Sequence, residues 1–352
     1  MRIPLIYALH SGNLYGTERM ALWTAAGLTD RFDPVIMAPK GPALEEAARM
    51  GFSAVPFGSP GEFALAVRPF FARSRRLVFL ATGVVHSLAA VAWNWLYRRP
   101  MVHLHVVHGG TDERLSYGRK RRLHHSRVTF VAVSAFVKER LIANGVAPHR
   151  VEVIENFLPE SRVQSAVRRA AFTADGISRI VVVSRVDPIK RIDLLLDALD
   201  RTPELSCLPI RVLGTGWELE KLRERAAKNN PNVVFAGFQS AVDEELASAD
   251  LLLHLCPSEP FGLAVLEAMA AGIPVLVADS GGAGSLVENN VTGFHFRAND
   301  ADALSARLKE LLALPAVRLN GVVQAAAGTL QDRFSASARI ADYRRLLEGK
   351  RL

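Results

Sequence analysis

Short, uninterrupted apolar runs alternate with amphipathic stretches along almost the whole chain of 352 residues. The first half contains the runs IPLIYALH, PVIMAP, LVFLATG, MVHLHVVH and TFVAVS, which lack the polar–apolar alternation of a half-exposed strand. Parallel strands covered by helices on both faces have this composition. The rhythm restarts near residue 179 with RIVVVS, IRVLGTG, VVFAGF, DLLLHL and PVLVAD. The sequence therefore predicts an α/β fold with two doubly wound sheets.

The break between the two repeats falls between residues 156 and 179, where Pro159 and a poorly periodic, charged stretch interrupt the pattern. We therefore expect a first domain over residues 1–160 and a second domain over residues 161–331. The remaining residues, 332–352, contain FSASARIADYRRLLEG and predict a terminal helix. Ligands of such sheets bind beyond the carboxyl ends of the strands, so we expect the functional residues in the loops that follow strands.

Cysteine content and charge limit the class of protein. Cys207 and Cys256 are the two cysteines and stand far apart, which excludes a disulfide framework or a zinc cluster and favours a reducing compartment. The predicted location is cytoplasmic. The formal net charge is +8, and residues 1–170 carry 23 Lys and Arg against 12 Asp and Glu, whereas the remainder carries 20 against 23. This division predicts two surfaces with different partners.

The segment SEPFGLAVLEAMAAG, residues 258–272, follows a predicted strand and opens a predicted helix. The first backbone amides of that helix, at Gly262 and Leu263, suit a phosphate. Glu267 lies one turn deeper, where a carboxylate can bind the hydroxyls of a ribose. In the alternative interpretation, Glu259 only favours the helix N-terminus electrostatically and Glu267 is solvated.

A second group of charged residues lies in SRVDPIK, at the end of the first strand of the second repeat. Arg185 and Lys190 are five residues apart on a strand-to-helix loop, from which both can reach a diphosphate. The helix dipole does not explain Lys190, because it disfavours a cation at the start of a helix. The alternative is that both are solvated loop cations.

Taken together, these motifs resemble a known family. EPFGLAVLE, the Arg-x4-Lys of SRVDPIKRIDLLLDAL, GTGWELEKL and VVFAGF occur in the order and spacing of the family 4 retaining glycosyltransferases of the GT-B fold. The resemblance implies two Rossmann-like domains that face each other across a cleft, with the C-terminal helix crossing back to the first domain. It also implies transfer of a hexose from a nucleotide-diphosphate sugar to a glycan or lipid-linked acceptor in polysaccharide or glycolipid biosynthesis. A UDP-sugar is favoured over a GDP-sugar as the donor.

The resemblance assigns roles to residues of both domains. In the second domain, Glu259 would contact the transferred sugar, Glu267 the ribose, and five further residues the donor: Arg185, Lys190, Phe261, Gly262 and Leu263. In the first domain, His108 matches the active-site histidine of the family, which touches the sugar. Gly16, in SGNLYGTE, matches a glycine loop that faces the diphosphate, although Tyr15 stands where the family has a second glycine.

Two sequence patterns are typical of metal sites, but neither predicts a bound metal ion here. His103 and His105 share one face of a strand while His108 points to the other, so we expect the first two in the core. Asp300 and Asp302 form a DxD triplet, but they precede a helical stretch, where acids are favoured as caps. With two cations already assigned to the diphosphate, no metal or other cofactor is expected.

Basic residues cluster in the first domain. Between residues 68 and 127, where few acids oppose them, they include Arg68, Arg73, Arg75, Arg76, Arg98, Arg99, Arg119, Lys120, Arg121, Arg122 and Arg127. The neighbouring segment WNWLY mixes aromatic residues with arginines, which favours an anionic membrane surface as a partner, at the inner face of the cell membrane. The stretch lacks the module and the interleaved aromatics of nucleic-acid binders, so nucleic acid is not expected. A solvated basic face is the alternative.

Two other functions remain open at this point. One is a nucleotide-sugar epimerase of the same fold, which the acid pair and the Arg-x4-Lys motif disfavour. The other is a catalytically inactive regulator that binds a sugar nucleotide, which the intact set of charged residues disfavours. A panel of UDP- and GDP-sugars in a thermal-shift assay separates donor users from the rest, because ligands of the native state raise its stability.

Overall fold

A computed structural model describes residues 2–110, 112–124, 126–239 and 241–349, apart from the side chain of Glu113. The chain divides into two compact units. The first runs to Phe157 and resumes at Ala336, and the second is Leu158–Ser335. The first boundary lies close to the predicted residue 160. The second lies beyond the predicted residue 332, because Phe334 packs its ring against Phe261 and Ser335 bridges to Leu158 within the second unit.

The described part of the first unit contains a seven-stranded parallel sheet in the order β3-β2-β1-β4-β5-β6-β7. Its strands are β1 Ile3–Ala8, β2 Phe32–Ala38, β3 Ser53–Pro56, β4 Leu77–Ala81, β5 Met101–Val107, β6 Thr129–Ala132 and β7 Val151–Val153. The central strands β1 and β4 are almost entirely buried, as their uninterrupted apolar sequences predict.

Helices connect these strands and cover both faces of the sheet. They are α1 Gly16–Gly27, α2 Pro42–Arg49, α3 Pro60–Arg73, α4 Val84–Tyr97, α5 Glu113–Ser116 and α6 Ala135–Ala143, with 3₁₀ turns at Gly118–Leu123 and Pro148–Arg150. The longest uncharged run, residues 77–97, divides between β4 and α4. No single helix in the described ranges is long and apolar enough to cross a membrane, although one pair bent by 111°, Ala301–Leu312 with Ala316–Arg333, passes on length and composition.

The described part of the second unit repeats the architecture with a six-stranded parallel sheet in the order β10-β9-β8-β11-β12-β13. Its strands are β8 Ile180–Val183, β9 Ile210–Leu213, β10 Val233–Gly237, β11 Leu251–His254, β12 Val275–Ala278 and β13 Phe294–Phe296. The predicted pair of doubly wound parallel sheets is therefore confirmed.

The helices of the second unit pack on both faces of its sheet. They are α7 Glu160–Ser165, α8 Ile192–Asp200, α9 Leu219–Asn229, α10 Val242–Ala247, α11 Leu263–Ala271, α12 Gly281–Gly284, α13 Ala301–Leu312 and α14 Ala316–Arg333, with 3₁₀ turns at Pro188–Lys190 and Pro203–Leu205. One buried carboxylate, Asp250, joins the start of β11 to its surroundings: it accepts hydrogen bonds from Arg169, from the backbone and hydroxyl of Ser178, and from the backbone of Arg179.

The last helix, α15 Ala336–Gly349, belongs to the first unit. Arg344 donates a hydrogen bond to the Gly27 carbonyl over 2.8 Å and another to Asp30 over 3.0 Å. Ile340 packs so closely on Gly27 that a β-carbon there would lie 2.5 Å from its side chain. The predicted return of the C-terminal helix to the first domain is therefore confirmed.

Candidate functional site

In each sheet the strand order reverses at one point. In the second unit this point lies between β8 and β11, which are neighbours although the strands β9 and β10 lie between them in sequence. The loop of residues 184–191 follows β8, and the loop of residues 255–262 follows β11. Doubly wound sheets bind ligands where such loops diverge, beyond the carboxyl ends of the two strands.

An ion pair joins these two loops. The Lys190 ammonium donates a hydrogen bond to Oε2 of Glu259, and Nε2 of His254 lies 3.4 Å from the same oxygen. The Lys190 and Glu259 side chains are each only 16% exposed. The two predicted charged groups of the second domain therefore meet in one partly buried cluster.

The pair changes the acidity of both partners. Burial alone would raise the pKa of Glu259, but the Lys190 charge and the contact with His254 hold that pKa well below its usual range. Burial alone would lower the pKa of Lys190, and the Glu259 carboxylate raises it instead. Both side chains are therefore charged at neutral pH.

Arg185 lies at the start of the same loop and is held by a buried acid. Its Nη1 lies 2.8 Å from Oδ2 of Asp187, while 52% of the Arg185 side chain stays exposed. The other carboxylate oxygen of Asp187 accepts a hydrogen bond from the backbone of Trp217 over 3.2 Å. Asp187 thus fixes the direction of a guanidinium that remains open to a ligand.

Glycines shape the loop that carries Glu259. Gly262 has φ +102°, in the left-handed region, and α11 begins at the next residue, Leu263. The Gly282 backbone donates a 2.6 Å hydrogen bond to the Glu259 carbonyl. A β-carbon on Gly282 would lie 2.0 Å from the Pro260 carbonyl oxygen, so this close approach requires glycine. The arrangement places the first amides of α11 beside Glu259.

Two further predicted donor residues lie on or next to α11. Glu267 is half-buried one turn after Leu263, as the spacing of four predicts. Phe261, which the resemblance assigns to the donor, has a buried side chain. It is 3% exposed, and its ring lies 6.0 Å from that of Phe334 in an edge-to-face contact. Only the backbone of Phe261 thus belongs to the open part of the loop that leads to α11.

In the first unit the order reverses between β1 and β4. A cavity of about 530 Å³ lies at this point, and His108 is part of its wall. Burial and the neighbouring His10 lower the pKa of His108 to about 3, so its imidazole is neutral. Gly16, the first residue of α1, follows the loop after β1, and Glu18 fixes that loop by accepting a hydrogen bond from the Tyr15 backbone over 3.2 Å.

The other histidines of β5 are core residues, as predicted. Nε2 of His103 and Nδ1 of His105 lie 3.0 and 2.9 Å from the same hydroxyl, Oγ of Ser87. Burial lowers the pKa of His103 to about 3. One serine therefore orients two neutral imidazoles inside the unit.

The DxD triplet forms a helix cap, as predicted. The Asp300 carboxylate accepts a hydrogen bond from the backbone of Ala303 over 2.8 Å at the start of α13. Asp302 lies 3.3 Å from Arg201 on the surface. Their geometry is explained by the helix and by an exposed ion pair.

The basic cluster of the first unit divides into surface and interior residues. Trp95 and Leu96 are 78% and 58% exposed, next to the exposed Arg98. Lys120 corrects the expectation of a uniform surface patch, because it is 8% exposed and lines the cavity of the first unit. Arg99 is directed inward, and its guanidinium donates to the Phe71 and Ala72 carbonyls at the end of α3.

The sequence interpretation missed two residues of the second-unit site. His254 is the last residue of β11, a position that the rule of strand carboxyl ends would have singled out. Asp187 stands between Arg185 and Lys190, and its role depends on a contact with the distant Trp217 that spacing does not reveal.

Comparisons with known proteins agree with this geometry. The family model for Glycosyltransferase Family 4 matches residues 14–162, and the model for Glycosyl transferases group 1 matches residues 165–326. The chain is 31% identical over 212 residues to a GDP-mannose-dependent alpha-mannosyltransferase of Mycobacterium tuberculosis, covering 56% of this chain and 53% of the relative. It is 29% identical over 203 residues to the sulfoquinovosyl transferase SQD2 of Arabidopsis thaliana, covering 54% of this chain and 39% of the relative. The chain thus spans about half or less of the length of these relatives.

The architecture is also found among solved structures. Anabaena HepE in complex with UDP-glucose matches with a TM-score of 0.80 at 20% identity, covering 97% of this chain and 99% of that one. A glycosyltransferase from Rickettsia africae matches with a TM-score of 0.81 at 17% identity, covering 99% and 100%. The two domain matches and the two-sheet architecture show that this chain is a member of the family 4 glycosyltransferases with the GT-B fold.

Proposed function

We propose that the protein is a retaining glycosyltransferase that moves a hexose from a UDP-sugar to a glycan or lipid-linked acceptor in polysaccharide or glycolipid biosynthesis. One observation carries the proposal. The Lys190–Glu259 pair lies at the strand-order reversal of the second sheet, beside the N-terminus of α11. A cation, a carboxylate and free helix amides at one point suit a ligand that joins a diphosphate to a sugar.

The positive groups act on the leaving diphosphate. Breaking the bond between sugar and phosphate leaves negative charge on the diphosphate and positive charge on the sugar. Lys190, the guanidinium of Arg185 held by Asp187, and the amides of Gly262 and Leu263 stabilise the negative charge. Since these groups supply the charge that a metal ion would otherwise supply, we expect transfer to continue in the presence of EDTA.

Glu259 acts on the sugar, and we assign His108 to the sugar as well. A carboxylate with a depressed pKa stays ionised at neutral pH and stabilises positive charge at the anomeric carbon. A neutral imidazole such as that of His108 donates one hydrogen bond and accepts another, which suits a sugar hydroxyl. Retention is checked by the configuration of the product: an α-linked donor should give an α-linked product by NMR.

The comparisons support two donors. HepE was solved with UDP-glucose, whereas the mycobacterial relative is named as GDP-mannose-dependent. The test is therefore a thermal-shift panel of UDP-glucose, UDP-galactose, UDP-N-acetylglucosamine and GDP-mannose, followed by hydrolysis of the donor that stabilises the protein. An epimerase would interconvert UDP-sugars without releasing UDP, and an inactive regulator would bind a donor and leave it intact.

A variant pair tests the site. Arg185→Ala removes an exposed guanidinium and should lower donor hydrolysis on the order of a hundredfold, because a charge-assisted contact to the leaving group is lost. Arg201→Ala is the matched control, since Arg201 is a similarly exposed arginine in an ion pair with Asp302. Equal activity of the two variants would contradict the assignment of Arg185 to the diphosphate.

We further propose that the protein attaches peripherally to an anionic membrane through exposed residues of α3 and α4 and their connections. Trp95 and Leu96 supply apolar side chains, and Arg73, Arg75 and Arg98 supply exposed cations. Each basic residue near an anionic surface contributes about 1 kcal/mol. Aromatic residues beside arginines suit the boundary between headgroups and acyl chains.

A further inference from the structure

The cavity of the first unit lies where sheet topology predicts a ligand. Its wall includes residues directly after β1, β4 and β5, at the strand-order reversal between β1 and β4. The N-terminal turns of α3 and α4 also line it, at Ser59–Pro60 and Gly83–Val84. Both helices thus direct the positive ends of their dipoles toward the cavity.

The charged residues of the wall are all basic. Arg119, Lys120 and Arg122 line the cavity, and no carboxylate of the described residues does. Asp112, the nearest described acid in sequence, is exposed, and its carboxylate accepts a hydrogen bond from the Leu115 backbone instead. Three histidines complete the wall: His10, His86 and His108.

Lys120 is the most informative of these residues. Lys120 is only 8% exposed. Within the described ranges, no carboxylate or carbonyl pairs with its ammonium. Burial and the nearby Arg119 lower the pKa of Lys120 to about 8. A lysine with so little exposure is costly unless an anion is close, so an anionic ligand in the cavity would stabilise Lys120 in this position.

The local backbone selects which cations face the cavity. Gly118–Leu123 is a 3₁₀ helix, in which residues three apart lie on one face, so Arg119 and Arg122 are aligned. Arg121 points elsewhere: a β-carbon on Gly145 would lie 3.0 Å from Cδ of Arg121. The same short helix therefore contains cavity cations and a basic residue that serves as a control.

We propose that this cavity binds the phosphate or carboxylate group of an anionic acceptor, held by Lys120 with Arg119 and Arg122. A neutral sugar would leave the three cations of the wall without counter-charge, whereas an oxyanion receives charge-assisted hydrogen bonds from them. The volume of about 530 Å³ accommodates a sugar that carries such a group. The role as acceptor rests on the proposed transferase function, while the binding of an oxyanion does not.

Isothermal titration of the full chain tests the proposal with glucose 6-phosphate, glucuronate and neutral glucose. We expect both anions to bind and glucose to bind at least about tenfold more weakly. Lys120→Met, which keeps the apolar length of the side chain, should weaken anion binding about tenfold or more. Arg121→Met should leave it unchanged. If Lys120→Met does not fold, the double substitution of the exposed Arg119 and Arg122 by Gln gives the same comparison.

Two further measurements identify the ligand source and separate this inference from the proposed function. Phosphatidylcholine vesicles that carry a polyprenyl phosphate should displace glucose 6-phosphate if the acceptor is a lipid, and leave it bound if the acceptor is soluble. UDP binding should be equal in wild type and Lys120→Met. Displacement of glucose 6-phosphate by UDP, equal binding of glucose, or unchanged anion binding in Lys120→Met would each overturn the proposal. Anion binding without any hydrolysis of UDP- or GDP-sugars would instead contradict only the transferase function.

Discussion

Glu259→Gln should affect donor binding and transfer in opposite directions. Glutamine has the shape of glutamate and keeps an oxygen that accepts a hydrogen bond from Lys190, but it removes the negative charge. The Lys190 ammonium stays charged in this variant, but it loses its Coulomb attraction to the carboxylate, which is on the order of 1 kcal/mol for a partly exposed ion pair. If Lys190 binds the diphosphate, this difference makes UDP binding about fivefold tighter.

The same change should lower transfer about a hundredfold or more, because the carboxylate assigned to the developing positive charge on the sugar is gone. Isothermal titration with UDP and a donor-hydrolysis assay measure the two effects. Glu267→Gln is the control. It should change UDP affinity in the opposite direction from Glu259→Gln, because loss of the predicted ribose contact weakens UDP binding. Weaker UDP binding in Glu259→Gln, or hydrolysis at the wild-type rate, would refute the assignment of Lys190 and Glu259.

Stability should respond to pH in a defined window. The pKa of Glu259 in the folded protein is depressed below the ordinary value of 4.5. The ion pair therefore stabilises the fold fully above pH 4.5. This contribution is lost as the pH falls from 4.5 toward the pKa of Glu259 in the folded protein. Because the pKa of Lys190 is raised in the folded protein, the stabilisation is complete up to about the ordinary lysine pKa of 10.5 and is lost above it. Urea unfolding should therefore show Glu259→Gln less stable than wild type at pH 7, by about 1–2 kcal/mol since the pair is partly exposed, with a smaller difference at pH 4.

Three further substitutions test the fold and the surface. Asp250→Ala should lower the free energy of unfolding by about 3–5 kcal/mol in urea, because Arg169 loses its buried partner, whereas loss of the exposed Glu220 should cost under about 0.5 kcal/mol. Gly282→Ala should abolish UDP binding by displacing the loop of Glu259. Gly328→Ala, whose β-carbon would approach no other part of the described chain within 4 Å, should stabilise α14 by about 0.5–1 kcal/mol. Trp95→Ser should reduce co-sedimentation with anionic liposomes, and binding that is insensitive to salt or to lipid charge would exclude electrostatic docking.

The features that sequence predicts well are those with local causes. The alternation of apolar runs and helices predicts both parallel sheets, and the helix-start position of Asp300 predicts its cap. The meeting of Lys190 and Glu259 depends on residues 69 positions apart in sequence, and only the reversal of strand order brings their loops together. Spacing alone left both residues open to a purely structural interpretation.

Side-chain direction is the part that sequence could not predict. In the run of basic residues 119–122, charge alone suggests one solvated patch, yet Lys120 is buried and Arg121 packs near Gly145. The cause is the short 3₁₀ helix, in which successive side chains project about 120° apart, so Arg119, Lys120 and Arg122 line the cavity while Arg121 lies against Gly145. The direction of the Phe261 side chain could not be predicted either, since its burial depends on a contact with Phe334 at the far end of α14.

The two strand-order reversals differ in their charge balance, and this difference bears on function. At the reversal of the second sheet, the Lys190 ammonium is matched by the Glu259 carboxylate, so a ligand there must offer both an anionic and an electron-poor part. A nucleotide-diphosphate sugar has both. At the reversal of the first sheet, three cations line the cavity and no described carboxylate offsets them, which suits the anionic group of the proposed acceptor. Under the proposed function, one topology repeated in a chain serves two kinds of substrate, which differ in whether acids offset the cations at the strand-order reversal.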